Sequence, residues 1–215
     1  MMRGSIVAAV IVLGGLLSSA PAEAQTRQRL RGFGFSGFAQ VDRHAFTASE
    51  TFDAIMRDAS GTLPGGGGQV RWRQLVFEVS ASRYKRTGER VVISGGQVFR
   101  LGIPTTVTVT PIEFTGAYRL PSIWRFIPYG GGGVVRLQYK ETSQFAEASE
   151  NVKESFTGYN VVGGAEIPVW KWFAAAVEGR YRSVPDAIGT AGVSNAFGED
   201  DLGGASVRVK FIVGR

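Results

Sequence analysis

The stretch that decides the fold runs from Leu202 to Val213 and reads LGGASVRVKFIV. Apolar or small side chains occupy every second position of it, at Ala205, Val207, Val209, Phe211 and Val213. The positions between them in the same stretch include Ser206, Arg208 and Lys210. A period of two places successive side chains on opposite faces of a β-strand. The stretch therefore predicts a strand with one apolar face and one basic face.

The same alternation recurs along the chain. Six further segments follow it, at 32–46, 74–82, 105–120, 129–139, 157–167 and 173–182. The stretch 90–101 is a weaker eighth candidate, because Gly95 and Gly96 interrupt it. Eight is an even number, which lets an antiparallel barrel close with both of its ends on one side. We therefore expect an all-β fold, an eight-stranded antiparallel up-and-down transmembrane β-barrel.

The segment 105–120 changes phase part of the way along. Val107 and Val109 are odd-numbered, whereas Ile112 and Phe114 are even-numbered, and Pro111 stands between the two pairs. A β-bulge adds one residue to a strand and so reverses the faces, and proline lacks the N–H that a sheet ladder uses. The sequence therefore predicts a bulge at Pro111.

The connections between these segments have two lengths. Short turns are expected at 85–90, 121–126 and 168–171, and long loops at 48–68, 141–156 and 185–201, with 101–104 as a short exception. The first long loop is predicted to hold a helical turn at 51–57 and a glycine hinge at 65–68. Short turns that alternate with long outer loops are typical of outer-membrane barrels.

The first 24 residues have the pattern of a secretory signal peptide. Arg3 supplies a positive start, residues 6–17 are apolar, and Ala22-Glu23-Ala24 is an A-x-A cleavage sequence. We therefore expect residues 1–24 to be a cleaved signal peptide and residues 25–215 to be the barrel domain.

The composition limits the chemistry that the chain can perform. Its 215 residues include no cysteine and one histidine, which excludes disulfides, thiolate nucleophiles and multi-histidine metal sites within one chain. The net charge is +6, but the basic residues are spread singly, which argues against a nucleic-acid partner. No cofactor and no metal are predicted.

Alternation alone does not say which face of a barrel points inward. A soluble lipocalin-like barrel is apolar inside, and a membrane barrel is apolar outside. Charges of both signs at similar depth can pair across a narrow interior. The predicted interior charge network is Glu78, Glu113, Arg119, Arg136, Glu166, Glu178, Arg180, Arg182, Arg208 and Lys210.

Aromatic residues gather near the ends of the predicted strands. Amphipathic rings at both strand ends are typical of the interfacial girdles of membrane barrels. The predicted membrane-interface aromatics are Tyr118, Trp124, Tyr129, Tyr139, Tyr159, Trp170, Trp172, Phe173 and Tyr181. Together with the signal peptide, they favour the membrane barrel.

Candidate catalytic and ligand-binding residues are few. His44 stands near Ser49 and Glu50, as a Ser-His-acid hydrolase would require, but the favoured interpretation is a strand-end histidine at the membrane interface. The run 199–201 (Glu-Asp-Asp) could hold a hard cation, although a solvated acidic loop is favoured. The glycines 65–68 lack the Lys-Ser/Thr of a phosphate loop. No enzyme is predicted.

Several short stretches resemble the small eight-stranded outer-membrane β-barrel proteins of Gram-negative-type bacteria, in particular an outer membrane protein β-barrel domain family. They are 101–104, 108–111, 128–132, 197–204 and 207–215. The resemblance covers essentially the whole chain after the signal peptide. It implies a monomer in the outer membrane, surrounded by lipid and lipopolysaccharide and inserted by the barrel-assembly machinery. One departure is that Phe211 is followed by four residues, whereas such proteins often end on an aromatic.

Three functions stay open at this level. The leading hypothesis is a non-catalytic barrel that displays surface loops and serves envelope integrity or surface interaction. The alternatives are a narrow, passive or gated pore for small solutes, and a soluble periplasmic barrel that binds an apolar ligand.

Overall fold

The computed structural model describes residues 33–95, 97–143, 152–190 and 192–214. The predicted signal peptide lies outside them. The elements are β1 (Phe33–Phe46), α1 (Ser49–Met56), β2 (Ser60–Trp72), β3 (Leu75–Ser82), β4 (Tyr84–Ser94), β5 (Gln97–Arg119), β6 (Ile127–Ser143), β7 (Val152–Trp170), β8 (Phe173–Ser183), α2 (Gly192–Phe197) and β9 (Gly204–Val213). Neither of these helices has the length and hydropathy of a membrane-spanning helix.

The strands form a closed antiparallel ring. β1 pairs with β2 on one side and with β9 on the other, and neighbours in the chain pair around the rest of the ring. β3 and β4 are separated only by Arg83, and both pair with β5, so they are consecutive parts of one barrel strand. The predicted eight-stranded up-and-down barrel is confirmed.

β9 shows which face points inward. Arg208 and Lys210 are buried in the barrel interior, whereas Val207 and Phe211 lie on the outer surface with 57% and 49% of their area exposed. The outer face is therefore apolar and the inner face is charged at this depth. A soluble barrel has the opposite arrangement.

β2 was not predicted as a strand. The expected loop 48–68 instead holds α1, which confirms the predicted helical turn, and then the first part of β2. The expected hinge at 65–68 is wrong, because Gly67 is paired with Phe38 on one side and Ser80 on the other. Consecutive glycines have no side chains, so no alternation of apolar and polar residues marks this strand in the sequence.

The predicted strand at 90–101 is the tip of a hairpin. Ser94 pairs with Gln97, and Gly95 has a φ of 58°, in the left-handed region that suits glycine in tight turns. The expected turn at 85–90 therefore lies inside β4, and the expected connection at 101–104 lies inside β5.

β5 has no bulge at Pro111, so that prediction is wrong. Its pairing with β6 runs without interruption, and its odd-numbered side chains point inward on both sides of the proline. Pro111 lies opposite the break between β3 and β4, where the ladder to β5 is interrupted, and the register with β5 is the same on both sides of this break, so no residue is added. The apolar phase changes because the barrel lining changes: Val109 faces an apolar interior, and Glu113 faces a charged one.

The two ends of the barrel differ. At the turn end, short connections join β2 to β3, β5 to β6 and β7 to β8, and β1 begins and β9 ends there. The expected turn at 121–126 is confirmed, and the one at 168–171 is displaced because β7 continues to Trp170. At the loop end lie α1, the β4–β5 hairpin and the connection that contains α2. Of the expected loop 141–156, residues 144–151 lie outside the described residues.

Candidate functional site

The centre of the barrel holds a buried cluster of charges, which we call the charge network. It contains as many carboxylates as cations, each at most 6% exposed. Its members are Asp42, Glu78, Glu113, Glu178, Arg180, Arg182, Arg208 and Lys210. Four negative groups therefore balance four positive groups in a space closed off from solvent, and a balanced pairing is what makes buried charges tolerable.

Glu113 is the acceptor at the middle of this network. It accepts hydrogen bonds from Arg180 Nη1 at 3.1 Å, from Arg182 Nε at 2.6 Å and from Arg208 Nη2 at 2.7 Å. Arg182 Nη2 and Arg208 Nε also donate to Asp42, at 2.8 and 2.6 Å. One carboxylate of β5 thus ties together the two strands β8 and β9, and Asp42 adds β1.

The part of the network nearer the turn end is equally well paired. Arg180 Nε donates to Glu178 at 2.7 Å and its Nη2 donates to Glu78 at 2.7 Å. Lys210 Nζ donates to both carboxylates, at 2.8 Å for Glu178, and lies 4.6 Å from the ring centre of Phe38. Tyr129 adds its hydroxyl, which donates to Glu178 at 2.5 Å.

Three residues of the predicted network lie elsewhere. Arg119 and Glu166 form a separate ion pair of 3.1 Å nearer the turn end. Arg136 is exposed on the outer face, so its placement in the interior was wrong. Its neighbours Val135 and Leu137 point inward instead, because the barrel interior is apolar at that level. Asp42 belongs to the network but was not among the predicted residues, although it shares the inward phase of β1.

The interior above the charge network is apolar, and we call this region the loop-end plug. Phe46 stacks on Phe52 of α1 with ring centres 3.9 Å apart, and Met56 of the same helix is buried beside them. The other buried members are Ala48, Leu63, Tyr84, Val107, Val109, Val135, Leu137, Val184, Ala187 and Leu202. The plug closes the barrel at the loop end.

Two carboxylates of the acidic stretch 199–201 hold α1 and the adjoining loop in place over the loop-end plug. Glu199 accepts hydrogen bonds from the backbone N–H groups of Glu50 at 3.0 Å and Thr51 at 2.8 Å, at the start of α1. Asp201 accepts from the backbone N–H groups of Val184 at 2.7 Å and Gly203 at 2.6 Å. The interpretation of this stretch as a solvated loop is therefore wrong for Glu199 and Asp201, whereas Asp200 is exposed. No group of acidic or histidine side chains within the described residues is arranged to hold a metal ion.

Glu199→Ala is expected to loosen α1 from the barrel. Loss of an acceptor at a helix start costs about 0.5–2 kcal/mol, so the amides of the loop end should exchange hydrogen about tenfold faster while the barrel strands stay protected. Hydrogen exchange measured by mass spectrometry would show this. Asp200→Ala is the matched control, because Asp200 is exposed in the same stretch. Equal exchange in both variants would contradict the capping role.

Asp58 ties the far end of α1 to the barrel. It accepts hydrogen bonds from Arg86 Nη1 at 3.0 Å and from the Ser60 backbone N–H at 2.9 Å. These bonds lower the pKa of Asp58 to about 2. The pair with Arg86 therefore stays ionised far below neutral pH.

His44 lies inside the barrel, not at the membrane interface as predicted. Its side chain is 2% exposed, Arg182 Nη1 donates to its Nδ1 at 3.1 Å, and its ring packs edge-on against Phe46 at 4.6 Å. The histidine therefore connects the charge network to the loop-end plug. Its Nδ1 is engaged by an arginine, which does not match a serine–histidine dyad.

Most of the predicted interface aromatics lie on the outer surface. Those with 37–94% of their area exposed are Tyr118, Trp124, Tyr159, Trp170, Trp172, Phe173 and Tyr181. Tyr129 and Tyr139 are exceptions and that prediction was wrong for them, because the odd positions of β6 point inward. Tyr139 donates to Glu141 at 3.0 Å, and Tyr129 donates to Glu178 of the charge network.

Comparison with known proteins supports the fold. No protein-family model matches the chain, and no curated protein does either. Among solved structures, Neisserial surface protein A superposes with a TM-score of 0.52 at 14% identity, over 85% of this chain and 96% of that one. A major outer membrane protein from Thermus thermophilus gives a TM-score of 0.52 at 10% identity, over 85% and 99%. The chain therefore has the fold of an outer-membrane β-barrel.

Proposed function

We propose that the protein is a non-catalytic integral outer-membrane barrel that displays its loop end at the cell surface, for surface interaction or envelope integrity. The observation that carries the proposal is the distribution of polarity across the barrel wall. Near the turn end the outside is apolar and the inside is charged. We call this band of the wall, apolar outside and charged inside, the belt. Such a band is stable in hydrocarbon and unstable in water.

The belt has an upper edge at which both faces of the wall change. On β5, Phe114 and Ile112 point outward below the edge, and Thr110 and Thr108 point outward above it. On the inside, the charge network gives way to the loop-end plug at the same level. Along this part of β5, above the edge, the wall is apolar inside at Val107 and Val109 and polar outside, as in a soluble barrel. We infer that the loop-end half stands above the bilayer in water.

The same distribution argues against a soluble periplasmic carrier. A lipocalin-like barrel would need an apolar cavity where this chain has eight paired charges. The proposal further includes phospholipid and lipopolysaccharide as surroundings and the barrel-assembly machinery during insertion. Where β3 pairs with both β2 and β5, the ring of strands is closed and leaves no unpaired edge for a second copy to extend, which supports a monomer.

The interior favours a closed barrel over a pore. Arginine side chains cross the lumen to reach Asp42 and Glu113, and a cavity beside Glu78 and Tyr129 has a volume of only about 20 Å³, enough for about one water molecule. The loop-end plug covers this region. A static solute pathway through the charge network is therefore not supported.

Two measurements test the proposal together. In detergent, an unboiled sample is expected to migrate differently from a boiled one, because a closed barrel resists unfolding. The same protein in planar bilayers is expected to give no conductance steps. Recovery of the protein in a detergent-free soluble fraction would overturn the membrane assignment. Conductance steps that change in Glu178→Gln would replace the closed barrel with a pore.

A further inference from the structure

A groove crosses the outer surface of the barrel over β1, β2, β3 and β5. Its volume is about 730 Å³, in the range of pockets that hold small ligands. Its floor is formed by glycines, and phenylalanines that are half to two-thirds exposed stand along it. These residues are Gly37, Gly68 and Gly116 on the floor, and Phe35, Phe77 and Phe114 on the walls. We call this feature the glycine groove.

The strand register creates the glycine groove. Gly37 is paired with Gly68, and Gly116 is paired with Phe77, so two small positions adjoin and a phenyl ring stands next to the third. A Cβ at any of the three glycines would meet its nearest non-adjacent heavy atom at 3.8–4.0 Å, which is ordinary van der Waals contact. The backbone therefore does not need glycine there. What these glycines provide is open space on the lipid-facing side.

A cation lies beyond the turn end of the glycine groove, three residues along the chain from its lining residue Val70. Arg73 is exposed in the turn between β2 and β3, and its guanidinium lies 5.7 Å from the ring centre of Trp72. From Arg73 to Gly68 is five residues, or about 17 Å along a strand. That length is close to one leaflet of a hydrocarbon core of about 30 Å. A positive side chain therefore lies beyond one end of the groove, about one leaflet away from Gly68 on its floor.

The same pairing of tryptophan with a cation occurs at every turn of this end. Trp124 precedes Arg125, and Lys171 lies between Trp170 and Trp172, 5.9 Å from the latter ring. All four tryptophans of the chain are therefore at the turn end beside an arginine or lysine. The turns 73–74, 120–126 and 171–172 contain no aspartate or glutamate. Such a surface complements anionic lipid head groups.

We propose that the glycine groove binds one acyl chain of an anionic phospholipid, whose phosphate pairs with Arg73. The inference rests on the proposed function, which places the turn end in the inner leaflet of the outer membrane. Within that leaflet the groove is reached from the hydrocarbon side. A flexible alkyl chain can lie in an open apolar groove between phenyl rings, and a guanidinium pairs with phosphate through two parallel hydrogen bonds.

The experiment is native mass spectrometry of the detergent-purified protein titrated with phosphatidylglycerol. Gly68→Leu fills the groove, and Gly163→Leu is the matched control. Gly163 also faces outward, on the opposite wall, with open space around a Cβ and with Gly130 and Gly179 as its cross-strand partners. The wild type and Gly163→Leu are expected to retain one lipid. Gly68→Leu is expected to weaken binding on the order of tenfold, which corresponds to about 1.4 kcal/mol.

Arg73→Gln tests the head-group contact, with Arg125→Gln as its control. Arg73→Gln should remove the preference for phosphatidylglycerol over zwitterionic phosphatidylethanolamine, and Arg125→Gln should keep it. Heat-dependent gel mobility is checked first in every variant. A wild type without it refutes the proposed function itself. If the variants fold correctly, three results would overturn the groove inference and leave the proposed function intact. Gly68→Leu would bind lipid as well as Gly163→Leu does, or Arg73→Gln would keep the preference for phosphatidylglycerol. The third result is a protein dimer with no bound lipid.

Discussion

Glu113→Gln is expected to lower the free energy of unfolding by about 3–5 kcal/mol, the usual cost of removing one partner from a buried ion-pair network. The substitution removes one of four negative charges and leaves three arginines around a neutral amide. The interior is sealed, so water does not solvate the uncompensated positive charge. Denaturant unfolding of the protein in detergent, followed by tryptophan fluorescence, measures the change.

Glu89→Gln is the matched control for this variant. Glu89 also pairs with two arginines, Arg57 at 3.3 Å and Arg100 at 3.4 Å, but it does so at the solvent-exposed loop end. Exposed pairs contribute about 0–1 kcal/mol. If both substitutions had the same small effect, water would have to reach the charge network, and the closed-barrel proposal would lose its main support.

Gly133→Ala is expected to destabilise the barrel by about 1–3 kcal/mol or more, through overpacking against backbone that has no room to move. Gly133 lies on β6, and a Cβ added there would overlap the carbonyl oxygen of Phe114 on β5. The two strands would have to separate locally, with the loss of ladder hydrogen bonds. The folded yield in detergent micelles and the denaturation midpoint measure this effect.

Gly163→Ala provides the comparison. Gly163 is also a strand glycine, but a Cβ at that position meets no heavy atom within 4 Å. Alanine also lowers the conformational entropy of the unfolded chain, so this variant should be unchanged or slightly more stable. A loss of stability in Gly163→Ala as large as that in Gly133→Ala would show that glycine is needed for backbone conformation and not for space.

Several features were predictable because they depend on local pattern. β9, β8 and most of β7 show the period of two directly. β2 was not predictable in this way, because its glycines carry no side chains. The hairpin of β4 and β5 was misplaced, since a glycine pair within an apolar run is compatible with either a weak strand or a turn.

The members of the charge network were predictable only in part. Glu178, Arg180 and Lys210 could be assigned to one face from alternation, and the structure brings them into contact. Arg136 and Tyr129 follow the same alternation and were assigned to the wrong faces. On β6 the inward side chains are apolar near the loop end. A polar side chain there points outward, so polarity does not show which way a side chain points.

The sequence by itself determined that this is an all-β chain with alternating faces. The predicted count of eight strands is right only because the missed strand β2 compensates for the stretch 90–101, which is a hairpin tip and not a separate barrel strand. Only the tertiary structure decided which face is inside at each level and which charges meet. Alternation is a property of one strand and depends on backbone geometry alone. The partners of Glu113, by contrast, come from β8 and β9, 67 to 95 residues further along the chain. The physical reason is that ring closure brings these strands within reach, and that the surroundings of the wall decide which face must be apolar. In the proposed function these surroundings are lipid below the edge and water above it.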